Sequence, residues 1–423
     1  MEQVVHINGL NLHLVPSKKY KTITIVAKLR GQLNRDSVTK RALLPFVLRQ
    51  GTKTYPTREK LQHKLDDLYG ASLSLDAGKA GLDHVISVRM EVANQKYIEN
   101  ESSILKESLE LIHEVIFNPL ADEHGFDETI VDRELQSLKQ QLRSIKDDKV
   151  NYAQQRLIDE MCAGETFQIH AQGYEADLED ITRKNLMEAY QTILEEDVMD
   201  LYVLGDFDHE TVKKMIETTI TKSNATTKKA DVRAKLTRKQ DGEPQEVIER
   251  EDIQQAKLHI GYRTGIVYKD ADYPALLIYN GILGGFPGSK LFLNVREKHG
   301  LAYYVASGVE NYTGLLYVYS GVAAEDYEKA KQIIKEQFDD MRTGEFTDAD
   351  IAETKAMIVN QVLESMDSAQ GLIELLYQNV LGGRETSLET LIEDIQRVEK
   401  EDITQIANNV TEDTIYLLTR EEA

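Results

Sequence analysis

Between Thr221 and Gln245 the chain carries hardly an apolar residue, and that break constrains everything on either side of it. The run Ser223-Asn224-Ala225-Thr226-Thr227-Lys228-Lys229 and the turn-forming Asp241-Gly242-Glu243-Pro244 offer nothing to a hydrophobic core. They read as an exposed linker. The chain thus divides into a first half, residues 1–221, a linker, 222–245, and a second half, 246–423. A chain of 423 residues is too long for one small core. Each half has to close its own.

The two halves read alike. In the first, apolar alternation over Val4–Val15 turns at Asn8-Gly9, a strong hairpin signal. A strand over Thr22–Leu29 follows, then helical patterns over Lys40–Arg49 and after Thr57, a natural N-cap. Strands over Ala71–Asp76 and His84–Val92 lead to an amphipathic helix over Ser103–Phe117. A long charged helical region, Asp127–Met161, is interrupted near Asp147-Asp148. A helix over Arg183–Leu194, a strand over Asp200–Gly205 and a helix over His209–Ile220 close this half.

The second half runs through a strand at Gln255–Tyr262, a helix at Tyr273–Leu283, a strand pair at Ala302–Val309 and Leu315–Val322, and a helix at Tyr327–Arg342. After Thr347 another long helical region extends to about Val380. Two short helices and a strand at Thr414–Leu418 end it. The closing segments overlay in order, type and length. The expected fold class is α+β: two homologous α/β sandwiches, each a mostly antiparallel sheet with helices packed on it, related by duplication.

A formal charge of −22 argues against a nucleic-acid binder, which needs Lys/Arg-rich surface. Cys162 is the sole cysteine, so no intrachain disulfide and no cysteine-based zinc site can form, and it reads as a structural thiol. Met1–His6 shows no basic region followed by an apolar run, and no stretch approaches the apolar length of a membrane span. The expectation is a cytoplasmic protein with no membrane insertion.

The most informative stretch is Leu291–Tyr304. Leu291, Phe292 and Val295 give a helix one buried face, Gly300 stops it, and Ala302 onward is strand. Arg296 near the helix end and Tyr303 opening the strand could together donate hydrogen bonds to one carbonyl oxygen. The alternative is that Arg296 caps the helix or snorkels and Tyr303 packs, and spacing alone favours that structural reading.

With the two-half plan, the segments Arg296-Glu297-Lys298 and Gly300-Leu301-Ala302-Tyr303 behind Gly284-Gly285 resemble the insulinase/pitrilysin family of zinc metallopeptidases. Gln50-Gly51-Thr52-Lys53-Thr54-Tyr55-Pro56 and Leu65-Asp66-Asp67-Leu68-Tyr69-Gly70-Ala71 resemble it too. Active members carry H-x-x-E-H on the first half's first helix: two histidines hold zinc and the Glu serves as general base. Anchored on Gly51-Thr52, that motif falls on residues 42–46. Ala42, Pro45 and Phe46 stand where its two ligands and base belong. None of the ten histidines lie four apart. Pro45 adds an expectation of a bent or shortened helix. Glu134, seven residues after Asp127, matches the family's third ligand, but without imidazole partners it reads as a helix-face charge paired with a residue such as Arg133, or as a structural relic.

What the resemblance implies is a chain of the kind that lacks the zinc motif and keeps the Arg/Tyr pair. Such chains work beside a homologous zinc-bearing subunit as a heterodimer, two bowls closing round a peptide. This chain would hold no metal or cofactor itself, the zinc being in the partner, and Arg296 and Tyr303 would bind substrate. A homodimer in isolation, a non-enzymatic scaffold, and a hydrolase using another site are the alternatives. No G-x-S-x-G, phosphate loop or His/Cys cluster supports the last.

Overall fold

The strongest turn signal in the sequence is met by the backbone. Asn8 and Gly9 both take positive φ, 46° and 80°, as a two-residue turn matched to strand twist requires. They join β1 (Gln3–Ile7) to β2 (Leu10–Pro16). The computed structural model describes residues 2–99, 103–220, 244–384 and 386–421. Of the expected linker, 222–243 lies outside the described residues.

After the hairpin come β3 (Thr22–Gln32), α1 (Val38–Leu48), α2 (Arg58–Asp67), β4 (Ser72–Ala80), β5 (Asp83–Ala93) and α3 (Ile104–Phe117). A two-residue pair, β6 (Ala121–Asp122) and β7 (Gly125–Phe126), precedes α4 (Glu128–Asp147), α5 (Lys149–Met161), α6 (Arg183–Glu196), β8 (Val198–Gly205) and α7 (His209–Thr219). The second half has β9 (Gln245–Glu251), β10 (Ala256–Arg263), α8 (Tyr273–Asn280), two π-helical segments (Gly281–Gly285 and Phe292–Lys298), β11 (Ala302–Glu310) and β12 (Leu315–Val322). It ends with α9 (Tyr327–Thr343), α10 (Asp348–Asp367), α11 (Ala369–Gly382), α12 (Leu388–Arg397), α13 (Lys400–Asn409) and β13 (Thr411–Arg420).

Two units result, each with its own sheet and core. The first sheet has the order β1-β2-β8-β3-β5-β4 and the second β9-β13-β10-β12-β11. In each, one pair is parallel, β2 with β8 and β9 with β13, and the rest are antiparallel. Setting β2 on β9 superimposes the orders strand for strand, with β1 the only addition among the described residues. This is the expected duplicated α+β fold, and it makes β4 and β11 equivalent edge strands.

The first core packs Leu12, Ile25, Val88 and Leu201 of the sheet against Leu43, Leu109, Ile112 and Leu186 of the helices. The second packs Leu258, Ile260, Val318 and Ile415 against Ile278, Ile334, Phe338 and Ile403. Strand β9 went unread in the sequence. Among Gln245–Glu251 only Val247 and Ile248 are apolar, because an edge strand leaves its other positions to water.

The long helical regions break at their caps. Asp148 accepts from the amides of Val150 (3.1 Å) and Asn151 (3.2 Å), ending α4 and starting α5. Ser368 does the same for Gly371 (2.9 Å), splitting what reads in sequence as one helix into α10 and α11.

By packing, residues 145–168 belong with the second unit. Helix α5 lays Ala153, Leu157 and Met161 on the second sheet, and Gly261 makes room: a Cβ there would stand 2.5 Å from Met161 Sδ. Buried Arg263 fixes the helix end, donating to the Met161 carbonyl (2.8 Å) and pairing with Glu165 (2.9 Å) and Asp413 (2.8 Å). Arg263→Leu is expected to cost about 2–3 kcal/mol in urea unfolding, short of the value for a fully buried pair because both carboxylates are partly wet.

Candidate functional site

In the first unit, α1 carries the positions where a zinc motif would lie. Ala42 and Pro45 are buried, and Phe46 packs partly buried against the core. The helix is not broken at Pro45; it runs on to Leu48, and the Arg49 amide returns to the Pro45 carbonyl at 3.4 Å. What fixes α1 in place is Arg41, a residue the sequence reading passed over. Its side chain is buried and makes a fork on Asp197, at 3.0 and 2.7 Å. Its Nε donates to His84 Nδ1 (3.2 Å) and Nη2 to the His84 carbonyl (2.8 Å). Gly31 leaves space for this fork, since a Cβ there would lie 2.4 Å from Asp197 Oδ1. The one available signal was a lone Arg inside an apolar helix run.

His84 is thereby held in one tautomer. With Nδ1 accepting from Arg41, Nε2 carries the proton and donates to the Ala171 carbonyl at 2.9 Å. Burial, and then the Arg41 charge, push its pKa down to about 4.

Glu134 on α4 is the next member. It is 3% exposed. Its carboxylate accepts from Arg133 Nε at 2.9 Å and stands 3.8 Å from Arg49 Nη2. The Arg49 guanidinium also lies 4.8 Å from the Phe46 ring centre. The space is a crevice of about 500 Å³ in which Arg49, Arg133 and Arg58 surround Glu134. Among the described residues, no three His, Cys, Asp or Glu side chains converge as a metal-binding group. Positive charge here is supplied by guanidinium.

The second unit carries the Arg/Tyr segment on an unusual backbone. Leu291 and Val295 are fully buried, as the spacing predicts, but Phe292–Lys298 is wound as a π-helix, a form often met at functional sites. Gly300, at φ 62°, ends it, and the Leu301 amide returns to the Val295 carbonyl at 3.0 Å. Arg296 is half exposed, with its guanidinium 4.8 Å from the Phe292 ring centre and 3.7 Å from Glu297. Tyr303 sits at a bulge: Ala302 pairs with Val322 and Tyr304 with Gly321, which leaves Tyr303 as the extra residue. The bulge turns Tyr304 inward, where burial raises its pKa to about 12, and leaves Tyr303 69% exposed. Arg296 and Tyr303 flank the Gly300 corner without a hydrogen bond between them. Strand β11, which Tyr303 opens, is a sheet edge.

Along 97% of its length the chain is 43% identical to a Bacillus subtilis (strain 168) protein described as "Probable inactive metalloprotease YmfF", covering 96% of that protein. The chain belongs to the M16 peptidase family, the insulinase/pitrilysin group. Within M16 it is an inactive-metalloprotease homologue. A profile described as "Peptidase M16 inactive domain" matches residues 180–358. A crystal structure of a conserved protein from Enterococcus faecalis V583 has a TM-score of 0.91 at 32% identity over 99% of both chains. That of an M16 inactive domain from Pseudomonas fluorescens has a TM-score of 0.82 at 17% identity, covering 100% of this chain and 99% of that one, and shows the shared fold.

The M16 first unit thus keeps its shape through the Arg41–Asp197–His84 cluster. Because the unfolded chain protonates His84 near its ordinary pKa of 6.5 and the folded one only near 4, the unfolded state binds more protons in between. Stability is full above that window and falls as pH drops through it, by roughly 3 kcal/mol in all. Urea midpoints taken across this range are expected to fall less steeply in His84→Gln than in the native chain.

Proposed function

We propose that this chain is the non-catalytic, substrate-binding subunit of a heterodimeric M16 peptidase that processes peptides. The zinc and its general base would belong to a homologous partner subunit, and this chain would contribute Arg296 and Tyr303. One observation carries the reading: a bulge at the start of an edge strand holds the Tyr303 phenol exposed beside a π-helix that leaves Arg296 only loosely engaged. Two strong donors kept from structural employment are suited to a peptide carbonyl and to the oxyanion that develops when hydroxide attacks it. An exposed sheet edge such as β4 or β11 offers backbone bonds to an extended peptide with little sequence choice. Glu134 is then a residual third-ligand position held by arginines, and residues 42–46 a degenerate motif.

The same reading gives this chain no metal or cofactor of its own and places the pair in the cytoplasm. There a chain with one cysteine, Cys162, buried at the end of α5, has no disulfide to lose.

Mixing the chain with a zinc-bearing sister subunit is expected to produce peptide cleavage that neither gives alone. Arg296→Ala or Tyr303→Phe should lower kcat by about 10²–10³ while leaving the pair associated on gel filtration. Cleavage unaffected by both substitutions would remove the assigned role. Association without any cleavage would leave a scaffold.

A further inference from the structure

Each unit carries a crevice at an equivalent place in its fold. Each is bounded by the end of the half's first helix, the start of the next helical segment, and a 20-residue helix, α4 in the first unit and α10 in the second. Lining positions Ile130, Arg133 and Ser137 of α4 recur at the same spacing as Asp350, Glu353 and Met357 of α10. Glu134 answers to Thr354. The charges are inverted. The first crevice has Arg49, Arg58 and Arg133 against Glu134; the second has Glu345, Asp350 and Glu353 against Lys290. A basic lining is therefore not imposed by the fold, and it runs against a chain whose formal charge is −22.

We propose that the first crevice is an oxyanion-binding site that takes a carboxylate or phosphate group beside Glu134. Glu134 engages Arg133 closely and Arg49 only at 3.8 Å, so donor capacity remains on Arg49. Arg58 has no ion-pair partner among the described residues and stands at the first position of α2. Its N-cap Thr57 lines the same crevice, so the positive end of that helix dipole adds to the three guanidiniums. Planar forks on two or three sides are the geometry that grips a carboxylate or phosphate by paired hydrogen bonds. At about 500 Å³ the crevice admits such a group with the residue that bears it. This inference does not depend on a partner subunit or on Arg296 and Tyr303.

The test is calorimetric titration of the full chain with three probes: inorganic phosphate, an N-acetylated tetra-alanine peptide with a free C-terminal carboxylate, and the same peptide as its C-terminal amide. Saturable one-site binding of phosphate, of the free-acid peptide, or of both is expected, and which of them binds names the source of the oxyanion. The amide should bind at least tenfold more weakly than the free acid. Arg58→Gln and Arg49→Gln should each weaken binding by roughly tenfold. Arg58 is exposed and outside the core, so its variant keeps the fold, which thermal melting checks. No saturable binding of either oxyanion, or binding by both variants as tight as by the native chain, would overturn the proposal.

Discussion

Burying a carboxylate is costly unless a positive group stands against it. At Glu134 the requirement is met from within the chain. Arg133 holds one oxygen at 2.9 Å, and Arg49, leaning over the Phe46 ring, faces the other at 3.8 Å. Neither arginine is buried, so each keeps much of its hydration while offsetting the buried charge. The arrangement keeps Glu134 of α4 buried beside α1, where Ala42 and Pro45 are buried and Phe46 packs partly buried against the core.

The frame itself is held from the other side of α1. The Arg41 fork on Asp197, with His84 fixed in a single tautomer by the same guanidinium, ties the helix to β5 and to the end of α6. Helix α1 is therefore held by side chains of its own unit. The second unit shows the complementary outcome of duplication. Gly281–Gly285 and Phe292–Lys298 are wound as π-helices and Tyr303 sits at a bulge, which leaves Arg296 and Tyr303 on either side of the Gly300 corner. The same plan thus carries a buried ion-pair cluster in one unit and two loosely engaged donors in the other.

Much of this was legible in the residues. Asn8-Gly9 can hardly be anything but a hairpin turn, Thr57 and Thr347 cap the helices that follow them, and Asp147-Asp148 marks a real break. The missing histidines are a matter of counting. Other features depend on contacts that no local pattern encodes. Strand β9 has only two apolar residues because it lies at an edge, and the helix break at Ser368 is a single cap inside a strong helical pattern. The π-winding at Phe292–Lys298 still buries Leu291 and Val295, four apart, but leaves Phe292 only partly buried where helical spacing put it on the inner face. Arg49 and Arg58 look like solvated surface charges until α4 brings Arg133 and Glu134 against them. Assignment of residues 145–168 to the second unit is likewise a result of packing, visible only once Gly261 and Met161 meet.

The most direct measurement is elemental analysis of the purified, unpartnered chain after equilibration with an equimolar amount of zinc and removal of the excess. If guanidinium has taken the metal's place beside Glu134, the chain will retain far less than one zinc per molecule, and Glu134→Gln will not alter that figure. Retention of one tightly held zinc per chain, abolished by Glu134→Gln, would contradict the account.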